Sequence, residues 1–202
     1  MSAFLGPIHH WLYNKIQFQE ALIQSLLETA AREGWGAVSA EKLDAACGKA
    51  DLRPLEESID TGNIHGWLQQ KIGVIESRLA FLVTHLLKEE PSRIEGLKQA
   101  AYRFGENYPL EAGLGADAAF KALGDILLDG MPCDHVNRVV EQGEEKTVWQ
   151  QTQCVHQMHW EQAGGEVSVY YALRAQIIKG MLAQSGLRFY AAGNGEFEIG
   201  KD

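Results

Sequence analysis

Residues 6–22 read GPIHHWLYNKIQFQEAL and residues 62–78 read GNIHGWLQQKIGVIESR. At an offset of 56, Gly6, Ile8, His9, Trp11, Leu12, Lys15, Ile16 and Glu20 meet Gly62, Ile64, His65, Trp67, Leu68, Lys71, Ile72 and Glu76, eight identities in fifteen positions. A chain that writes one passage twice constrains its own architecture, because both copies are expected to take the same local structure. There are only two copies, and the period is longer than that of common solenoid units. The pattern therefore predicts a duplicated helical hairpin related by a pseudo-twofold, with long helices over 7–33 and 64–88 packed against each other and the paired residues converging on one site.

Helical signals continue to about residue 130. Pro7 suits a first turn, and Ile8, Trp11, Leu12, Ile16, Leu22, Ile23, Leu26, Leu27 and Ala30 form an apolar stripe that ends before Gly34 and Gly36. Ser39 predicts the cap of a short helix through Cys47, and Leu55–Ile59 adds a further turn. The second long helix stops at Pro91. Ser92-x-x-Glu95 has the form of a capping box for a helix ending between Gly105 and Tyr108. Ala116–Leu128 reads as one more helix.

After Pro132 the apolar period becomes that of strands. Residues 135–141 and 147–156 flank Gln142-Gly143-Glu144-Glu145, a hairpin pattern. Gly164-Gly165 breaks the chain, and an amphipathic helix is expected from Val169 to Ala183, closed by Gly186. Leu187, Phe189 and Ala191, then Gly193-Asn194-Gly195, then Phe197 and Ile199 predict a second hairpin. The fold class is therefore α+β. A helical region (1–130) carries the repeat, and a hairpin–helix–hairpin region (131–202) packs on it without a Pro/Ser-rich linker.

Composition narrows the partners. The net charge is −9, from 18 basic and 27 acidic residues, which argues against nucleic acid and against an anionic membrane surface. No apolar run is long enough to span a bilayer, and no secretory signal is apparent. Three cysteines do not make a disulfide framework, so reduced thiols and a cytoplasmic location are expected. Nucleotide-binding loops, Gly-x-Ser-x-Gly and the Glu-x-x-His pattern of di-iron bundles are all missing.

The order hairpin, Gly-rich break, helix, then a hairpin ending in Gly193-Asn194-Gly195-Glu196-Phe197 resembles small-molecule domains of the vinyl-reductase type and the related L-2-amino-thiazoline-4-carboxylate hydrolase-like proteins. The resemblance covers about a third of the chain and rests on arrangement. The cysteine that such domains often carry after the last turn is absent here. It implies an α+β domain that handles a small ligand.

Two groups of residues could carry chemistry. Cys133, His135, Cys154, His156 and His159 supply five potential metal ligands in 27 residues. On strands, Cys154 and His156 would share a face opposite Cys133 and His135, a donor set suited to zinc or iron. The alternative is a buried Cys154 with hydrogen-bonded or exposed histidines. The second group is the repeat. His9 and His65 each open a helix, where the helix dipole favours neutral imidazole, the form that accepts a proton or binds metal. Trp11, Trp67 and Tyr13 are candidate ligand contacts, with the two tryptophans equally able to serve as core. The expected function is a metal-assisted hydrolase or lyase acting on a small polar substrate, with His9 or His65 as acid–base. The alternatives are a ligand-sensing or carrier module without catalysis, and an interaction subunit whose duplicated helices form a homodimer face.

Overall fold

The computed structural model describes residues 5–36 and 38–201. Helix α1 (Pro7–Arg32) and helix α4 (Ile64–Glu89) are the two copies of the repeat, each 26 residues long. They lie side by side and run in the same direction. The His9 and His65 rings are 5.7 Å apart, Tyr13 meets Trp67 at 5.8 Å, Gln19 hydrogen-bonds Glu76, and Glu20 pairs with Arg78. Equivalent levels of the repeat therefore face each other along the seam. In both copies the lysine lies over the tryptophan one turn earlier, at 3.5 Å for Lys15 on Trp11 and 4.9 Å for Lys71 on Trp67.

Between the copies run α2 (Ala40–Cys47), capped by Ser39, and the short α3 (Leu55–Ser58). Around Pro91 the expected capping box does not form. The Glu90 carboxylate instead accepts the Ser92 N–H and hydroxyl, which tightens residues 91–93 into a 3-10 turn, and α5 starts at Ile94 (Ile94–Glu106). Helix α6 (Ala116–Ile126) completes the helical region.

The C-terminal region forms one antiparallel sheet from β1 (Asn137–Glu141), β2 (Lys146–Gln151), β3 (Leu187–Gly193) and β4 (Glu196–Lys201), in the order β1-β2-β4-β3. The α+β class and both hairpins are as the alternation predicted. The second turn places Gly193, Asn194 and Gly195 at φ 88°, 52° and 75°. Glycine enters that region without steric cost, and asparagine tolerates it better than most residues. Strand β2 ends five residues earlier than expected. Thr152 turns its backbone N–H and hydroxyl onto the Val136 carbonyl, and the chain then enters a helix that periodicity did not reveal, α7 (Gln157–Ala163). Helix α8 (Val167–Leu182) follows.

One apolar core runs from α1 to β4. Ile23, Leu26, Leu79, Leu82, Leu86 and Leu97 are fully enclosed in it, and Trp149, Phe189 and Ile199 close it from the sheet side. Helices α5 and α8 cross backbone to backbone. A Cβ on Gly105 would sit 2.2 Å from the Ile177 carbonyl oxygen, and one on Gly180 2.1 Å from that of Tyr102. A main-chain carbonyl in a packed helix cannot step aside, so overpacking at either position has no cheap relaxation. Gly105→Ala and Gly180→Ala should each lower the unfolding free energy in urea by about 2 kcal/mol or more. Gly73→Ala, in α4 with nothing within 4 Å of the added carbon, should raise it by up to about 1 kcal/mol through helix propensity.

Candidate functional site

Charged and amide side chains interrupt the apolar stripes of three helices. Lys15, Gln19 and Glu20 on α1 and Glu76 and Arg78 on α4 are all buried, and Arg174 sits between Tyr170 and Ile178 on α8. They sort into two clusters. In the first, Arg78 holds Glu20 with two bonds of 3.1 Å and reaches Asp44 at 2.6 Å and the Gly48 carbonyl at 2.8 Å. This cluster fastens α2 across the α1–α4 seam.

The second cluster joins the helical region to the sheet region. His156, fully buried at the start of α7, places Nδ1 2.9 Å from Glu76 and Nε2 3.8 Å from Asp129. The longer distance is beyond a hydrogen bond, so Asp129 acts on the ring through its charge. The ring stacks on Tyr170 at 3.9 Å. Glu76 also accepts from Gln19 at 3.0 Å. Asp129 accepts from Arg174 at 2.7 Å and from Asn137 at 3.2 Å, and Arg174 donates further to the Leu128 carbonyl and the Tyr170 hydroxyl. Burial works hardest, against a charged His156, but the Glu76 and Asp129 carboxylates together outweigh it and lift the imidazole to about 9. Burial likewise opposes ionisation of Glu76 and Asp129. His156 with the Gln19 amide overcomes it for Glu76, and Arg174 with His156 for Asp129, so both carboxyls stay below their ordinary range. At neutral pH the four groups are two cations and two anions.

Asp129 and Arg174 form the polar end of a partly open pocket bounded by α6, α8 and the sheet, with a cavity volume of about 60 Å³. Its walls are aromatic: Phe120 lies 4.9 Å from Trp149, and Trp149 lies 5.7 Å from Phe197 and 6.0 Å from Phe189. Strand register places these groups. Trp149 opposes Phe197, and two residues on, Gln151 opposes Asn137, so polar groups continue the face that the aromatics begin. The Gln151 amide donates to Tyr171, whose hydroxyl donates to Cys154 Sγ at 3.1 Å. Burial keeps the Tyr171 phenol protonated.

The residues singled out from sequence are placed differently. His9 and His65 do meet, but at the amino ends of α1 and α4, where His9 Nδ1 accepts the Gly6 N–H at 3.0 Å and His65 is exposed; neither lines the pocket. Trp11 donates to Asp125 at 3.0 Å, Trp67 lies against Tyr13 and Lys71, and the Tyr13 hydroxyl donates to the Asp51 and Arg53 carbonyls. These three brace the repeat. The five candidate metal ligands do not converge, and among the described residues no three His, Cys, Asp or Glu side chains are grouped to hold an ion. The cause is the early end of β2. Cys154 and His156 leave the strand, Cys154 to the surface beside Tyr171 and His156 inward between two carboxylates, while His159 meets Ser77 at 3.0 Å and Cys133 and His135 are exposed. Asp129, Arg174, Gln151 and Tyr171 were missed, and Glu76 was marked only as a member of the repeat. Glu76 and Arg174 carry a legible signal, a charge in the middle of an apolar helix stripe. No helix among the described residues is long and apolar enough to cross a membrane. No protein-family model matches the chain, and no curated protein or solved structure is detectably similar to it.

His156 has a folded pKa of about 9 against an ordinary 6.5. Its contribution to stability is therefore complete below pH 6.5 and fades as pH rises through 9. Between pH 6.5 and 8 the unfolding free energy should fall by about 1.5 kcal/mol from this group, offset by about 0.4 kcal/mol as the depressed Lys15 amine begins to lose its proton in the folded state. His156→Gln should flatten that slope, as measured by urea unfolding across the interval. Equal slopes in both proteins would remove His156 as the source.

Proposed function

We propose that this chain binds a small amphipathic molecule in the pocket between α6, α8 and the sheet, as a carrier or sensor. The ligand class is a flat, largely apolar body with an uncharged hydrogen-bonding head. The observation that carries the reading is an aromatic-walled cleft, with a cavity of about 60 Å³, that ends on a fixed, charge-balanced set, Asp129, Arg174, Asn137 and Gln151. Apolar walls with a few convergent polar groups are the usual form of a small-molecule site. The aromatic rings supply area for stacking, and Asn137 and Gln151 supply direction. A charged head is disfavoured because it would unbalance the buried ions behind the polar end. His156 favours binding over acid–base catalysis: a ring held cationic to about pH 9 by Glu76 is not a base at neutral pH.

Gly124 stands at the pocket mouth, and an added Cβ meets nothing within 4 Å. Gly124→Leu should therefore obstruct the pocket while raising helix stability by about 0.7 kcal/mol. Titration with the neutral fluorophore N-phenyl-1-naphthylamine should show saturable binding to the wild type. Binding to the variant should be at least tenfold weaker, with an unchanged or higher melting temperature. Equal binding by both proteins would place the fluorophore elsewhere and defeat the reading.

A further inference from the structure

The two copies of the repeated lysine have different surroundings. Lys71 lies 3.5 Å from the Asp51 carboxylate. Lys15 is only 5 % exposed, and no carboxylate among the described residues comes within 4.0 Å of its nitrogen. What covers its ammonium is the indole of Trp11, 3.5 Å from Nζ to the ring centre. Trp11 is itself half-buried and is held by one bond, from Nε1 to Asp125 on the exposed side of α6. Charged groups face Lys15 at longer range: Asp125 and Asp129 favour the ammonium, and Arg174 on α8 opposes it. Burial outweighs the carboxylates and brings the amine down to about 8.

We propose that Lys15 is a nucleophilic amine that forms an imine with a small aldehyde or ketone, with Trp11 as the flap over it. The neutral nitrogen attacks the carbonyl carbon, and the C–N bond forms as the C=O π pair moves to oxygen. A proton passes from nitrogen to that oxygen to give the carbinolamine. Loss of the hydroxyl as water leaves the C=N bond, which is protonated as an iminium. The cation so formed is the kind of charge that already rests on the Trp11 face and in the field of Asp125 and Asp129. Desolvation and a neighbouring cation, here Arg174, are the two ordinary ways of activating a lysine for this chemistry. At pH 7 an amine of pKa about 8 is neutral about one time in ten, against about one in 2,500 for an ordinary lysine. The proposal goes beyond ligand binding in the α6–α8 pocket and does not depend on it, since the chemistry is read at Lys15 itself.

The test is trace labelling of the whole chain with 4-methoxybenzaldehyde and cyanoborohydride at pH 7, which reduces each imine to a stable secondary amine, followed by peptide mass mapping. Lys15 should be labelled at least tenfold faster than Lys71 and than the exposed Lys49 and Lys121. Trp11→Ala resolvates the amine and should bring the Lys15 rate down to that of Lys49 and Lys121, leaving the others unchanged. Fast labelling that appears only in Trp11→Ala would be that of a newly exposed lysine and overturns the proposal. A Lys15 rate no higher than that of Lys71 in both proteins overturns the proposal.

Discussion

The contact on which the rest depends is the buried pair of Glu76 and His156. Glu76 belongs to the long helix α4, and His156 opens α7 at the point where the chain leaves the sheet. A carboxylate enclosed to this degree is costly unless a cation and a donor meet it, and here His156 and Gln19 do so. Replacing such a pair by apolar groups is often neutral, but removing one partner strands the other and typically costs about 3–5 kcal/mol. The pair therefore matters less for net stability than for position. It fixes where α7 begins relative to α4, and through Asp129 and Arg174 it fixes α8 against the end of α6.

The repeat shows how one residue type acquires two roles. Glu20 and Glu76 occupy equivalent positions, and both are buried at the same seam. Glu20 meets Arg78 within the helical region, while Glu76 meets a histidine from the other region. Lys15 and Lys71 diverge in the same way, one toward an aromatic ring alone and one toward Asp51. The difference comes from what packs outside each helix. Helices α6 and α8 lie near Lys15, and the loop after α2 lies near Lys71. A pseudo-symmetric frame has become asymmetric through its surroundings.

Much of the fold was legible because it is local. Pro7, Ser39, Pro91, Gly186 and the Gly193–Gly195 turn mark element ends through backbone chemistry that needs no tertiary information. The class, the long helices and both hairpins followed from them. The site was less legible because it is made by convergence of distant segments. His156 and Glu76 are eighty residues apart, and Asp129 sits in a connection whose composition says nothing of burial. The metal expectation failed to find its geometry for a local reason. Thr152 bonds back to Val136, ending β2 before Cys154, so the two-residue alternation that would have aligned Cys154 with His156 does not operate there.

Charge balance explains why this polar end suits recognition more than turnover. Glu76, His156, Asp129 and Arg174 satisfy one another in the enclosed part of the cluster, and burial raises the cost of altering any one of their protonation states. Proton transfer to or from a ligand would have to break that balance. Hydrogen bonding from Asn137, Gln151 or a spare N–H of Arg174 would not, because Arg174 has five donors and commits three of them to Leu128, Tyr170 and Asp129. The ions thus act as a rigid back wall, and discrimination falls to the groups in front of it. A ligand is selected by the width between Phe120 and the aromatic sheet face, and by whether its head can meet neutral amides without bringing a charge of its own.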